Sequence, residues 1–568
     1  MDTEGESHSS SAEASQDLDD KDNSSSECNI DETITLSSLT EANKEEATIP
    51  VLKQRSYRGT REVIPSALAD TLCANLGVDG LLEKLNTTLG TSYGLVSVIS
   101  ILDSYITQNV DFGTAYAYLR PYWYDIPTIK QELSTREGND SEMRRNSLID
   151  GRITTEDVPP RRVWDLYANR VVPYWVVRKY LWGISHAWVD DKDRVDVMTP
   201  INGYEWPVPI PKDTNLDLIR LEMLNARSND TLHVAEYAWL DVLCLRQEGG
   251  KGEALRVEEW KLDVPTIGRM YALAPNVVCY FNGLGRPLDL KLRDFESDRS
   301  WFRRAWTLQE ITCHLIIGGE LEHDVMEKEA RRKFDEKLAS LQKIQQCGTT
   351  LDLAAEMQHR VAVKPVDKVA GLVYLLPTDT IPIYDAEQSE ADAWEVLMDV
   401  MEPWFRAELL FFFPEPGNGR RYWRPSWEQV MTKKLIPRSF AWYPDKVYRM
   451  EDLDADYYQG YRITSGNVQG LGEILDELDT RQGELAFNDI TGTRHTLKIV
   501  AEHEYLIPDG LYALIGCVGR FPRSDLWVVG ELREDGVFKK LSVMHSSDDE
   551  QVKLMDLALG QRVKIFLC

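Results

Sequence analysis

Ala235-Glu-Tyr-Ala-Trp-Leu-Asp-Val-Leu-Cys-Leu245 is a short apolar run interrupted by two acids, bounded by polar residues and rich in aromatic and branched side chains. Such a run reads as a strand buried on both faces. Residues 180–185, 277–281 and 315–317 share its character. Between these runs lie segments at helical spacing. Leu216, Ile219 and Met223 form one. Val264, Ile267, Met270 and Ala274 form another, with Asp263 as its N-cap and Pro265 in its first turn. A third is expected over residues 301–311, behind Ser300. Strands alternating with helices over residues 160–376 predict an α/β fold, a parallel sheet with helices on both faces.

Outward from this core the pattern changes. Leu81, Leu82, Leu85 and Leu89 recur at helical spacing, and residues 95–106 continue it. Pro121, Pro127 and the polar run 134–146 close the stretch, so residues 61–150 read as a helical leader ending in a loop. Residues 1–50 hold 14 Asp/Glu against 2 Lys/Arg, with abundant Ser. That composition cannot offset the entropy of ordering, and residues 1–60 are expected to form a disordered acidic tail. Helices are expected over 325–346, 368–376 and 391–405. Past residue 440, runs at 461–464, 496–500, 511–517, 526–529 and 562–567 lie between Gly and Asp turns. They predict a β-rich unit at 445–568.

Composition narrows the function. The 568 residues carry a net charge of −29, which opposes binding to the phosphates of nucleic acid or anionic lipid. No apolar run approaches the roughly 18 residues of a membrane span, and the start Met1-Asp2-Thr3-Glu4 has no secretory leader character. The eight Cys are scattered without a CxxC pair, as expected of reduced thiols in a cytoplasmic protein. No Walker A loop, no HExxH and no zinc-type Cys/His spacing occurs, so no resident metal or cofactor is expected.

Four segments carry the motif signal: Trp182-Gly-Ile-Ser-His-Ala-Trp188, Tyr237-Ala-Trp-Leu-Asp-Val-Leu-Cys-Leu-Arg-Gln247, Arg269-Met-Tyr-Ala-Leu-Ala-Pro-Asn-Val-Val-Cys-Tyr280 and Trp301-Phe-Arg-Arg-Ala-Trp-Thr-Leu-Gln-Glu310. In this order they resemble the heterokaryon-incompatibility (HET) domain of filamentous fungi. Lys364-Pro-Val-Asp-Lys-Val-Ala-Gly-Leu372 and Pro425-Ser-Trp427 resemble two later elements of that family. Ala305 stands where the family has Gly, Ala370 where it has Tyr, and Arg246 is a further departure. The resemblance covers residues 160–430. It implies non-self recognition and cell-death signalling, with a protein partner or self-association.

The strand–helix order of that family is similar to TIR domains. In their enzymatic members a Glu on a Trp-x-Leu-x-Glu helix assists NAD⁺ cleavage. The resemblance therefore implies a TIR/flavodoxin-like core, Glu310 as the catalytic residue and NAD⁺ as substrate. Breaking a nicotinamide–ribose bond develops positive charge on the sugar, which a fixed carboxylate stabilises. On a helix, Trp306 and Glu310 would share one face and hold that sugar. The alternative is equally concrete: Trp306 in the core, Glu310 paired with a base, and a non-enzymatic module that signals by self-association. Ser185, His186 and Asp241 are the remaining candidate ligand contacts, because they sit at or near strand ends that line the crevice of an open α/β sheet. Gly183-Ile-Ser185-His186-Ala187 also mimics a hydrolase elbow, with Ser185 as nucleophile.

Overall fold

The computed structural model describes residues 34–35, 56–57, 61–177, 179–226, 234–312, 314–319, 326–435, 446–473, 480–516, 526–547 and 562–568. Most of the expected acidic tail lies outside them. Within it, residues Ile34–Thr35 pair antiparallel with Ser56–Tyr57.

The leader is helical: α1 (Cys73–Leu89), α2 (Leu95–Thr107), α3 (Phe112–Leu119) and α4 (Ile129–Ser147). The expected loop at 134–146 is instead the body of α4. Its sequence has no apolar stripe to announce a helix. Ion pairs one turn apart support it, Arg136 to Glu132 at 2.5 Å and Arg144 to Asp140 at 2.9 Å. Arg144 is buried and also donates to the carbonyls of Pro159 and Pro160, which fastens α4 to the next segment.

The core is a six-stranded sheet of β1 (Arg162–Asp165), β2 (Arg170–Pro173), β3 (Trp182–His186), β4 (Tyr237–Trp239), β5 (Val277–Tyr280) and β6 (Leu315–Ile317). Their spatial order is β6-β5-β3-β4-β1-β2. Strands β6, β5, β3 and β4 are mutually parallel, and β1 and β2 add an antiparallel edge, so the sheet is mixed. Every residue of β3, β4 and β5 is buried. The run 235–245 is strand only at 237–239; Asp241–Cys244 already turns as a helix. Gly183 in β3 is required by close approach: a Cβ there would meet the Tyr271 ring at 3.0 Å. That ring belongs to α5 (Ile267–Leu273), which packs on this face.

Two expected helical features differ. Asp263 ends the helix Glu253–Asp263, where Arg161 holds it at 2.7 Å, rather than capping α5. Residues 301–311 are two separate 3₁₀ turns, Trp301–Arg303 and Trp306–Leu308. Arg304 between them is extended, at φ −76 and ψ 138. Its carbonyl is taken by the buried Arg360 guanidinium at 2.6 Å, and Ala305 N–H bonds the Val361 carbonyl at 2.9 Å. Those long-range bonds use backbone groups that a continuous helix would need.

The charged helix at 328–347 lies where expected, but the single helix expected over 391–405 is two, Glu390–Val400 and Pro403–Phe412, parted at Met401 and Glu402 where Pro403 opens the second. Helix α6 (Asp367–Val373) packs on the second 3₁₀ turn. Among the described residues the C-terminal part is mostly strand: β7 (Val447–Met450), β8 (Ala455–Gln469), β9 (Thr480–Asn488), β10 (Arg494–Glu502), β11 (Gly510–Gly516), β12 (Leu526–Leu532), β13 (Phe538–Ser546) and β14 (Val563–Leu567). Pairing runs β8-β9-β10-β13-β12-β11 and returns to β8, so six strands close on themselves and leave no free edge within the ring. Leu485, Leu497, Ile499, Leu514, Trp527 and Val529 fill its interior. Gly466 sits at a register shift in β8, where a Cβ would meet Leu514 at 2.8 Å. Among the described residues no helix is long and apolar enough to cross a membrane.

Leu240 follows β4 and is 0% exposed. Leu240→Asp buries an unpaired charge at the centre of the sheet and is expected to abolish soluble expression, whereas Val363→Asp, at a 70% exposed position, leaves expression and melting unchanged. A soluble, normally melting Leu240→Asp protein would contradict the central placement of this strand.

Candidate functional site

Side chains alternate across a strand, so Ser185 and His186 at the carboxyl end of β3 point to opposite faces of the sheet. On one face Ser185 is fully buried. Its hydroxyl accepts from the Trp301 indole N–H at 2.7 Å and donates through a short hydrogen bond to Glu310. Glu310 is itself only 7% exposed. Burial pushes its carboxyl above the ordinary range, while Arg304 and Ser185 pull the other way. The Cys279 thiol of β5 and the Tyr271 phenol complete this face, both held neutral by burial and by the Glu310 charge. The Tyr271 hydroxyl donates to the Ile184 carbonyl at 3.0 Å.

On the other face the His186 ring meets Asp241 Oδ1 at 2.9 Å through Nε2. The same oxygen accepts the Val242 N–H at 2.8 Å. Burial would raise the Asp241 pKa, but His186 and Arg304 outweigh it and hold the carboxyl below its ordinary value. His186, Trp188, Arg194, Ile210 and Val242 line a shallow open cleft, bounded by the strand pair Arg194–Val197 and Val208–Pro211.

Arg304 spans the sheet edge between the two faces. Its Nη1 donates to the His186 carbonyl at 2.7 Å, and its guanidinium carbon lies 4.5 Å from the Trp188 ring centroid. Burial lowers its pKa, and the charges of Glu310, Asp241 and Asp367 raise it. Asp367, from α6, accepts the Tyr384 hydroxyl at 2.7 Å, and burial raises its pKa. Among the described residues no three His, Cys, Asp or Glu side chains converge as metal ligands. Asp241, Glu310 and Asp367 instead act electrostatically on the Arg304 guanidinium.

The five sequence-derived residues are therefore brought into one neighbourhood, but not as one face. Ser185 contacts Glu310, and His186 contacts Asp241. With the helix absent, the shared face expected of Trp306 and Glu310 is lost, and the Trp306 ring lies 6.3 Å from the Tyr384 ring. Ser185, read as a hydrolase-elbow nucleophile, is enclosed and bonded to Trp301 and Glu310, and His186 lies on the opposite face and does not pair with it as a base. Sequence reasoning gave no role to Arg304, Trp301 or Asp367, although all three lie inside the quoted motif segments. Arg360 and Tyr384 carried no signal at all. No family profile, no curated protein and no solved structure matches the chain.

Ser185→Ala strands the Trp301 N–H and one Glu310 oxygen without a partner. Each buried orphan costs about 1–3 kcal/mol. The variant is expected to unfold at measurably lower denaturant than the wild type; an unchanged urea midpoint would show that this hydrogen-bond chain is not formed.

Proposed function

We propose that the chain is a cytoplasmic signalling protein of the heterokaryon-incompatibility type, built on a TIR/flavodoxin-like parallel core with helices on both faces, and that its output is cleavage of NAD⁺ at Glu310. The observation that supports this is convergence. Five segments that resemble the HET pattern, 182–188, 237–247, 269–280, 301–310 and 364–372, each send a side chain to the carboxyl edge of the parallel strands. His186, Asp241, Tyr271, Glu310 and Asp367 all lie around Arg304. Carboxyl edges of parallel strands are where open α/β sheets bind ligands. The sixth segment serves elsewhere: Ser426 caps the helix Trp427–Thr432, and the Pro425 carbonyl accepts from Trp394.

In this reading Glu310, once ionised, faces the ribose and stabilises the cationic sugar as nicotinamide departs, and water completes the reaction at the anomeric carbon. Ser185 and Trp301 orient the carboxylate. One observation favours the second reading, a non-enzymatic module that acts by self-association or on a protein partner: Glu310 is enclosed, only 7% exposed, with its carboxyl bonded to Ser185. A carboxylate that stabilises a cation must meet it, so the enzymatic reading requires this enclosed site to open when the chain is activated.

The two readings separate in one assay, nicotinamide release from NAD⁺ by the full chain at concentrations that span its self-association. The enzymatic reading expects release by the wild type and a loss of about 10²–10³ in rate for Glu310→Gln, with the variant still folded by circular dichroism. Absence of release from the associated wild type assigns the chain to the interaction module.

A further inference from the structure

Arginines crowd the seam between the C-terminal strands and the α/β part. Arg424 lies between Asp399 and Asp456, at 2.8 Å from each. Arg421 and Arg449 share the same two carboxylates at 3.3–3.5 Å, and both also reach Asp454. Glu395 and Arg420 stand at the exposed rim, the first 3.5 Å from Arg424 and the second on Asp454. Arg406, on the helix Pro403–Phe412 that packs against β7, is the remaining guanidinium. It is 3% exposed, yet among the described residues no carboxylate pairs with it. Its Nε and Nη1 are enclosed without a hydrogen bond, as is Arg424 Nε. Burial pushes Arg406 down to about 10, helped by Arg424 and Arg449, although Asp456 and the exposed Asp379 pull the other way.

We infer that this seam binds a small inorganic anion, chloride or phosphate, on the Arg406 guanidinium, and that the anion helps to hold the strand ring on the α/β core. The inference is independent of the NAD⁺ reading. A buried cation is unfavourable unless it is paired and hydrogen-bonded. Asp399, Asp454 and Asp456 are already engaged by Arg421, Arg424 and Arg449, so the Arg406 charge has no counterpart among them. The open N–H groups of Arg406 and Arg424 are donors only, and what they lack is an acceptor. A water molecule would accept from them and leave the charge unpaired; an anion answers both needs. The one enclosed acceptor at the seam without a hydrogen bond, Asp456 Oδ1, lies 3.5 Å from Arg449 Nη1, so a guanidinium already faces it.

The full chain is melted in chloride, in phosphate and in gluconate, an anion too bulky for an enclosed site, at one pH and one ionic strength. The wild type is expected to melt a few degrees higher in chloride, in phosphate or in both than in gluconate, with a rise that follows a one-site binding curve. Which anion raises it tells a halide site from an oxyanion site. Arg406→Met has similar length without charge or donor, and is expected to melt alike in all three. Arg293→Met, at an 87% exposed position, keeps the wild-type response and controls for general salt effects. Arg406→Lys keeps the charge but loses the planar fork, and is expected to need about tenfold more anion for the same rise. Equal melting of the wild type in all three salts overturns the inference and leaves water as the partner of Arg406. A rise that grows without saturation into molar salt overturns it too. So does a full-sized rise in Arg406→Met, or an unshifted binding curve in Arg406→Lys.

Discussion

The hydrogen bond from Arg304 to the His186 carbonyl is the contact on which the site depends. It ties the 301–310 segment to the end of the central strand β3, and it brings a cation between carboxylates that arrive from three different parts of the chain. Without a counter-charge, Glu310, Asp241 and Asp367 would repel one another in a poorly hydrated place. The segment is held in turn from behind. Arg360, 1% exposed, grips the Arg304 carbonyl and the Thr307 hydroxyl, while Gln309 donates to the Ala370 carbonyl at 2.9 Å. Gly371 permits the close passage, since a Cβ there would approach the Ala305 carbonyl to 3.2 Å. The outcome is a stretch with no regular helix that is nevertheless fixed at almost every residue.

The C-terminal strands are joined to the rest by charge as well as by apolar packing. Asp456 in β8 is almost wholly buried and accepts from Arg424 at 2.8 Å and from the Trp423 indole at 3.1 Å. Lys540 in β13 is fully buried and donates to the Leu409 carbonyl at 3.1 Å, in the last turn of the helix Pro403–Phe412. Burial pushes that amine down to about 7. A cation at a helix C-terminus is favourable, yet here it comes at the cost of desolvation. The closed ring of strands is therefore docked through buried polar contacts that demand one orientation.

What could be read from residue patterns follows the physics of each element. Strands β3, β4 and β5 were legible because burial on both faces leaves an unbroken apolar run, and their pairing follows from strand–helix alternation. The ring of strands was legible as β-rich, but its closure was not, because closure is set by the pairing of β8 with β11, far apart in sequence. Helix α4 was hidden, since polar residues on every side carry no period. At the site, Ser185, His186 and Asp241 were legible as polar residues at or near strand ends, and Glu310 only through the segment's resemblance to a Trp-x-Leu-x-Glu element. The division into two faces follows from the alternation along β3. The broken helix at 301–311 was not legible: its apolar spacing is helical, and only the distant Arg360 and Val361 draw its backbone away.

The role of Arg304 makes a definite demand on pH. Asp241, held below its ordinary value, contributes stability above the unfolded-chain pKa that is lost as pH falls; Glu310 and Asp367, pushed upward, cost stability as pH rises through their folded values. Removing the guanidinium raises all three in the folded state, so the folded protein binds more protons between acid and neutral pH and its stability falls more steeply as pH rises. The most direct measurement is urea unfolding of the wild type and of Arg304→Gln between about pH 4.5 and about pH 7. The account predicts a deficit in the variant that widens steadily toward neutral pH. A deficit that stays constant across that range would show that Arg304 does not neutralise these carboxylates.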